Sequence, residues 1–157
     1  MDPESTRTSQ LIVGPGRSGP PENELPCVLA TPELIWRGDG IAVAVPSLQV
    51  YSTGVELQIL GRFTPHSQTL NDGRAVADAL KGLTVSGRAA GLLGGQTTPG
   101  GFTYRGWRAV RPGEAGWGLV LTLEWPGIAP AEHQVPAAAI SDAITRVKQL
   151  WPAQPAQ

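Results

Sequence analysis

Cysteine is nearly absent from this chain. Cys27 is the single example, which excludes an internal disulfide framework and any zinc site built on cysteines. Lysine is almost as scarce, with two residues against ten arginines, and there are only two histidines, His66 and His133. Basic residues form no patch: the densest group is Arg105, Arg108 and Arg111, and the formal net charge is −1. A protein that binds nucleic acid through phosphates carries a basic stripe, so no nucleic-acid partner is expected. No apolar run approaches the roughly 18 to 20 residues of a membrane span, so no membrane partner is expected. Asp2 and Glu4 stand where a secretory leader would be positive, and Leu11-Ile12-Val13 is too short for its apolar region. These absences lead to the expectation of a cytoplasmic protein.

Glycine and proline, by contrast, are abundant at 20 and 15 of 157 residues, and they concentrate at 14–26 and 91–101. The polar segment 1–24 has too little apolar surface to offset its ordering entropy and reads as a mobile tail. The stretch 91–101 reads as a glycine-rich loop. The apolar fraction of 41% over the whole chain suits one globular domain, expected over 25–152 and followed by a short tail, 153–157.

Strand patterns dominate that domain. CVLA (27–30) and ELIWR (33–37) are short apolar runs, and Asp39-Gly40 offers a hairpin turn into IAVAVPSLQVY (41–51). There Ile41, Val43 and Val45 share a face, and after Pro46 the parity passes to Leu48 and Val50, so the proline marks a bulge or an edge. VELQILGRF (55–63) alternates most clearly, with Val55, Leu57, Ile59 and Phe63 inward and Glu56, Gln58 and Arg62 outward. RAVADALK (74–81) has the spacing of about two helical turns, and GLTVSGR (82–88) reads as a weak strand. FTYRGWRAV (102–110) and WGLVLTLEW (117–125) are two more strands, the second with Trp117, Leu119, Leu121, Leu123 and Trp125 on one face.

The C-terminal segment changes period. Ile140, Ile144, Val147 and Trp151 fall on one helical stripe, with Pro136 suited to the first turn and Pro152 a stop, which predicts a helix over 136–151. Asp142 and Arg146 are spaced as an i,i+4 pair. The expected fold is therefore mainly β: an antiparallel β-sandwich with one C-terminal amphipathic helix packed on it.

Three segments resemble a group of small actinobacterial β-rich proteins. They are YSTGVELQILGRF (51–63), WGLVLTLEWPGIAPAEHQV (117–135) and the ending LWP (150–152). The group has a Tyr-x-Thr-Gly-x-Glu strand, a Glu-Trp-Pro corner and a C-terminal helix ending near Trp-Pro. The resemblance implies a β-rich fold and carries over no catalytic residue.

The chemistry-bearing residues are sparse. Neither histidine has metal-ligand spacing, and no metal site is expected. GQTTPG (95–100) has the Gly-x4-Gly spacing of a phosphate loop but lacks the following lysine and helix, and no cofactor is expected. Arg37-Gly38-Asp39 is read as a tight turn. Cys27 lies in an apolar run, and no nucleophile elbow is present. The weak catalytic candidates are Glu124, Glu132 and His133, gathered around the Glu-Trp-Pro corner. Alternation along 102–110 places Thr103, Arg105 and Trp107 outside, and Arg105, Trp107 and Arg108 are the candidate binding residues. A competing expectation has Trp107 covered by the C-terminal helix or the tail. The favoured reading is a non-enzymatic module whose partner is another protein. The alternatives are a small hydrolase or ligand-binding enzyme at the corner, and a structural subunit of a larger assembly.

Overall fold

The computed structural model describes residues 19–65, 73–110 and 118–152. Expectations for Leu11-Ile12-Val13, His66, Arg111 and Trp117 lie outside that set. Among the described residues β-structure dominates, all of its pairing is antiparallel, and two sheets pack face to face.

The larger sheet grows from a long hairpin, β4 (Ile41–Tyr51) and β5 (Gly54–Phe63), whose register runs from Ile41↔Phe63 to Tyr51↔Gly54. On one side of it lie β2 (Cys27–Ala30) and β3 (Ile35–Gly38), which share the β4 edge. On the other side, β9 (Gly101–Ala109) pairs with β5, and β8 (Gly91–Thr98) pairs with β9. The second sheet has the order β11 (Glu132–Val135), β10 (Leu119–Leu123), β6 (Leu83–Val85), β7 (Arg88–Ala89). Helix α1 (Gly73–Ala79) continues into a 3-10 turn at Leu80–Gly82, and α2 (Ala137–Thr145) packs against β2 and β4. A two-residue ribbon joins β1 (Glu24–Leu25) to β12 (Lys148–Gln149).

Alternation fixes what lies between the sheets. Val43, Val45, Leu48, Val50, Val55, Leu57, Ile59 and Phe102 from the large sheet meet Leu83, Val85, Leu119, Leu121 and Leu123 from the small one. Each such side chain contributes about 1.5–3 kcal/mol by leaving water. Phe102 stacks on Trp125 across the gap, with ring centroids 5.5 Å apart and planes 9° from parallel. Gly61 leaves room for it, because a Cβ there would lie 2.0 Å from the Phe102 ring.

The parity change at Pro46 is a bulge: the β4–β5 register shifts between Ala44 and Ser47. A bulge strands carbonyls that a ladder would otherwise use. Thr31, the link between β2 and β3, takes both of them. Its N–H donates to Pro46 O at 2.8 Å and its hydroxyl to Val45 O at 2.6 Å. The bulge and Thr31 together divide this edge into two strands of four residues.

The Glu-Trp-Pro corner is a turn closed by Ile128 N–H donating to Trp125 O at 3.0 Å, with Pro126 second and Gly127 third at φ 85°. That is the type II arrangement, which demands a positive φ at its third residue. Asp39-Gly40 makes the expected two-residue hairpin between Gly38 and Ile41.

Two expectations need correction. The segment 91–101 is not a loop: Gly91–Thr98 is a strand, eight residues long. The C-terminal helix ends at Thr145 rather than Trp151. Its last turn tightens, with Arg146 N–H bonded to Ala143 O and Val147 N–H to Ile144 O. The chain beyond then pairs with β1, and Asn23 holds the Trp151 backbone with both atoms of its amide. Long-range pairing here overrides a helical period that continues on paper. The Asp142–Arg146 pair does form, at 3.2 Å.

Trp125→Ala removes the stack that joins the two sheets, so it should cost about 3–5 kcal/mol in urea denaturation. Trp151→Ala, at a side chain 52% exposed, should change stability by less than about 0.5 kcal/mol.

Candidate interaction surface

The register of β4, β5, β9 and β8 assigns every side chain of the large sheet to a face. The row Leu57–Gly106–Leu92 points into the sandwich, and the next row, Gln49–Glu56–Trp107–Gly91, points away from it. Beyond it, one step along the strands, runs Ser47–Gln58–Arg105–Gly94, and then Leu60–Thr103–Gln96. Thr103, Arg105 and Trp107 thus share the outer face, as alternation requires.

Trp107 nevertheless is not exposed. Only 3% of it is accessible, and Tyr51 lies against it in an edge-to-face contact at 5.7 Å. Gly54 makes the contact possible. A Cβ at that position would come within 2.6 Å of the indole and 2.5 Å of Arg108 O. Glu56, directly opposite Trp107, is buried as well, and its carboxylate accepts from Gln58 Nε2 at 3.1 Å. Arg105 Nη1 lies 3.6 Å from the same oxygen of Glu56. In the Tyr-Ser-Thr-Gly-Val-Glu stretch, then, Tyr51 covers Trp107, Gly54 admits the contact and Glu56 anchors Arg105.

Arg108 faces the other way. It is 4% accessible within the sandwich, where its Nε donates to Val85 O in β6 at 2.9 Å and its guanidinium also reaches Ala109 O. Of the three candidate binding residues, Trp107 is buried beneath Tyr51 on the outer face and Arg108 within the sandwich, and Arg105 alone, half exposed at its side chain, reaches solvent. The covering of Trp107 comes from Tyr51 at the end of the β4–β5 hairpin, whereas α2 packs on β2 and β4.

Around Arg105 the outer face is lined by amides, hydroxyls and glycines. Gln58, Gly94, Gln96, Thr103 and Arg105 border a depression of about 310 Å3. A second depression, about 330 Å3, continues along the same strands past Gln96 and Thr103 to Arg62 and Thr98. The arrangement offers hydrogen bonds and the exposed guanidiniums of Arg105 and Arg62, with no nucleophile beside a base among the described residues.

The corner candidates do not converge. Glu132 pairs with Thr122 on the outward face of the small sheet, and Glu124, two residues along from Thr122, has the same parity. His133 pairs with inward-facing Leu121. Its ring meets Trp36 edge-on at 4.9 Å, and its Nε2–H donates to Ile35 O at 3.0 Å. Trp36 Nε1 in turn donates to Ala131 O at 2.9 Å. His133 therefore ties the β11 segment to β3, while the two carboxylates face solvent elsewhere. No group of three His, Cys, Asp or Glu among the described residues is placed to hold a metal ion. No helix among them is long and apolar enough to cross a membrane.

Comparison with known proteins finds no matching family model, no similar curated protein and no similar solved structure. The functional reading therefore rests on the geometry of this chain.

What sequence reasoning missed was the depth of this face. Glu56 reads as a solvent-facing charge until register sets it against Trp107, and Gly94 reads as loop until β8 is seen to be a strand.

Tyr51 supplies a measurable signature of the cluster. Burial first, and then the nearby Glu56 carboxylate, push its phenol above the ordinary value of about 10, with Arg105 opposing and Glu24 adding to the rise. A raised phenol pKa means that the folded state keeps a proton the unfolded chain gives up. Stability is thus level below pH of about 10 and falls as pH rises through the folded value. Absorbance titration should show one tyrosine ionising late, and Tyr51→Phe should remove that phase.

Proposed function

We propose that this protein is a non-enzymatic interaction module that docks another protein on the β8–β9 side of its large sheet. One observation carries the reading: Arg105 is held in place by buried Glu56 yet stays half exposed, beside shallow polar depressions and an edge strand. Arginine is among the residue types enriched where a few side chains dominate binding energy. The support from Glu56 fixes the guanidinium before a partner arrives, which lowers the entropy cost of using it.

A photo-crosslinking side chain placed at Gln96 tests this against one placed at Glu132, on the outward face of the other sheet. Irradiation in extract of the native host should give a discrete adduct from position 96 that disappears when Arg105→Ala is added, and none from position 132. Adducts equal at both positions, or unaffected by Arg105→Ala, would contradict the reading. Arg105→Ala itself leaves the buried Glu56 carboxylate with Gln58 alone and should cost about 1–3 kcal/mol of stability, read by urea denaturation alongside the crosslinking.

A further inference from the structure

We infer that the free edge of β8 accepts an added strand from its partner, an extended peptide segment whose acidic side chain meets Arg105 across Gly94. This rests on the docking reading above and names the partner's chemistry.

The edge comes first. β8 pairs with β9 on one side and with no described strand on the other, although α1 approaches it near Thr97. Its sequence, GLLGGQTT, contains no charged residue and no proline over eight positions. Sheets usually defend such an edge with lysine, proline, short strands or a covering element. The other edges of this protein are defended in these ways. The opposite edge of the same sheet is split into β2 and β3 and carries α2. The small sheet ends in strands of four and two residues, the latter containing Arg88. β8 alone is long and neutral among the described strands that end a sheet. Its outer backbone donors and acceptors, which no described strand takes up, are the template that strand addition uses.

Charge then selects the occupant. Arg105 stands on β9 opposite Gly94, with no side chain between it and the edge. Its Nη2 lies 3.7 Å from where a Cβ of residue 94 would be, while Nη1 faces Glu56 on the far side. The guanidinium thus bridges from its buried anchor toward the open edge. An added strand would run about two strand spacings, roughly 9.5 Å, from β9. An arginine and a glutamate side chain together span that gap. A second copy of β8 would bring no carboxylate to Arg105, since Gly91–Thr98 has none. Leu93 has no partner in the β8–β9 register, which passes from Arg105↔Gly94 to Gly106↔Leu92, so an added strand pairs regularly only to one side of this bulge. Its half-buried side chain adds apolar contact beside the site.

The test uses the full chain and labelled eight-residue peptides of alternating threonine and valine carrying one central glutamate, or lysine in its place. In fluorescence anisotropy the glutamate peptide should bind at least about tenfold more tightly than the lysine peptide. Arg105→Gln should erase the difference, and Arg105→Lys should restore part of it. N-methylation of alternate backbone amides should abolish binding in one frame and leave it intact in the other, because only one edge of the peptide faces β8. Absence of binding, equal binding of both charges, or indifference to both methylation frames would overturn the inference. A wild-type dimer in sedimentation that Leu93→Lys dissociates would also overturn it, by giving the edge to a second copy. If crosslinking at Gln96 depends on Arg105 while no peptide shows frame-dependent binding, docking stands and strand addition falls.

Discussion

The antiparallel pairing of Gly54–Phe63 with Gly101–Ala109 is the constraint on which the core and the candidate surface both depend. Side chains alternate along both strands, so one register assigns Val55, Leu57, Ile59, Phe102 and Arg108 to the sandwich interior and Glu56, Gln58, Arg105 and Trp107 to the outside. A slip by one residue would exchange the two sets. It would put Glu56 among aliphatic side chains and Phe102 in solvent. Gly61 and Gly54 hold the register from both ends, one opposite Phe102 and the other against Trp107, since neither site has space for a Cβ.

The two faces of this strand pair do different work. Inside, Phe102 on Trp125 and Arg108 on the Val85 carbonyl tie the sheets together. Outside, Tyr51 and Trp107 form a small packed layer of their own, under which the Glu56 carboxylate is withdrawn from water. A buried carboxylate needs compensation, and Gln58 and Arg105 provide it. Arg105 is therefore a residue with two obligations. Half of it satisfies a buried charge, and the other half remains available over Gly94 at the sheet margin.

Much of the fold was legible in sequence because alternation is a local signal. The inward set Val55, Leu57 and Ile59, the parity change at Pro46, the Asp39-Gly40 turn and the helical turns near 74–81 all follow from neighbours within a few residues. The failures share the opposite cause. Gly91–Thr98 is rich in glycine and becomes a strand only because β9 offers a ladder. Lys148 and Gln149 leave the helical pattern for β1, more than a hundred residues earlier. The site was half legible: parity placed Arg105 outside, but the cover on Trp107 depends on Tyr51, brought over it by a hairpin. The inward turn of His133 follows from pairing with Leu121, which no spacing rule near the Glu-Trp-Pro corner encodes.

The central claim is that β8 is held by β9 on one side and open on the other. Amide hydrogen exchange resolved by residue addresses it directly. Alternate amides of Gly91–Thr98 should be protected where they face β9 and should exchange fast where they face the edge. Uniform protection along the strand would mean that the edge is already covered, and would contradict the account.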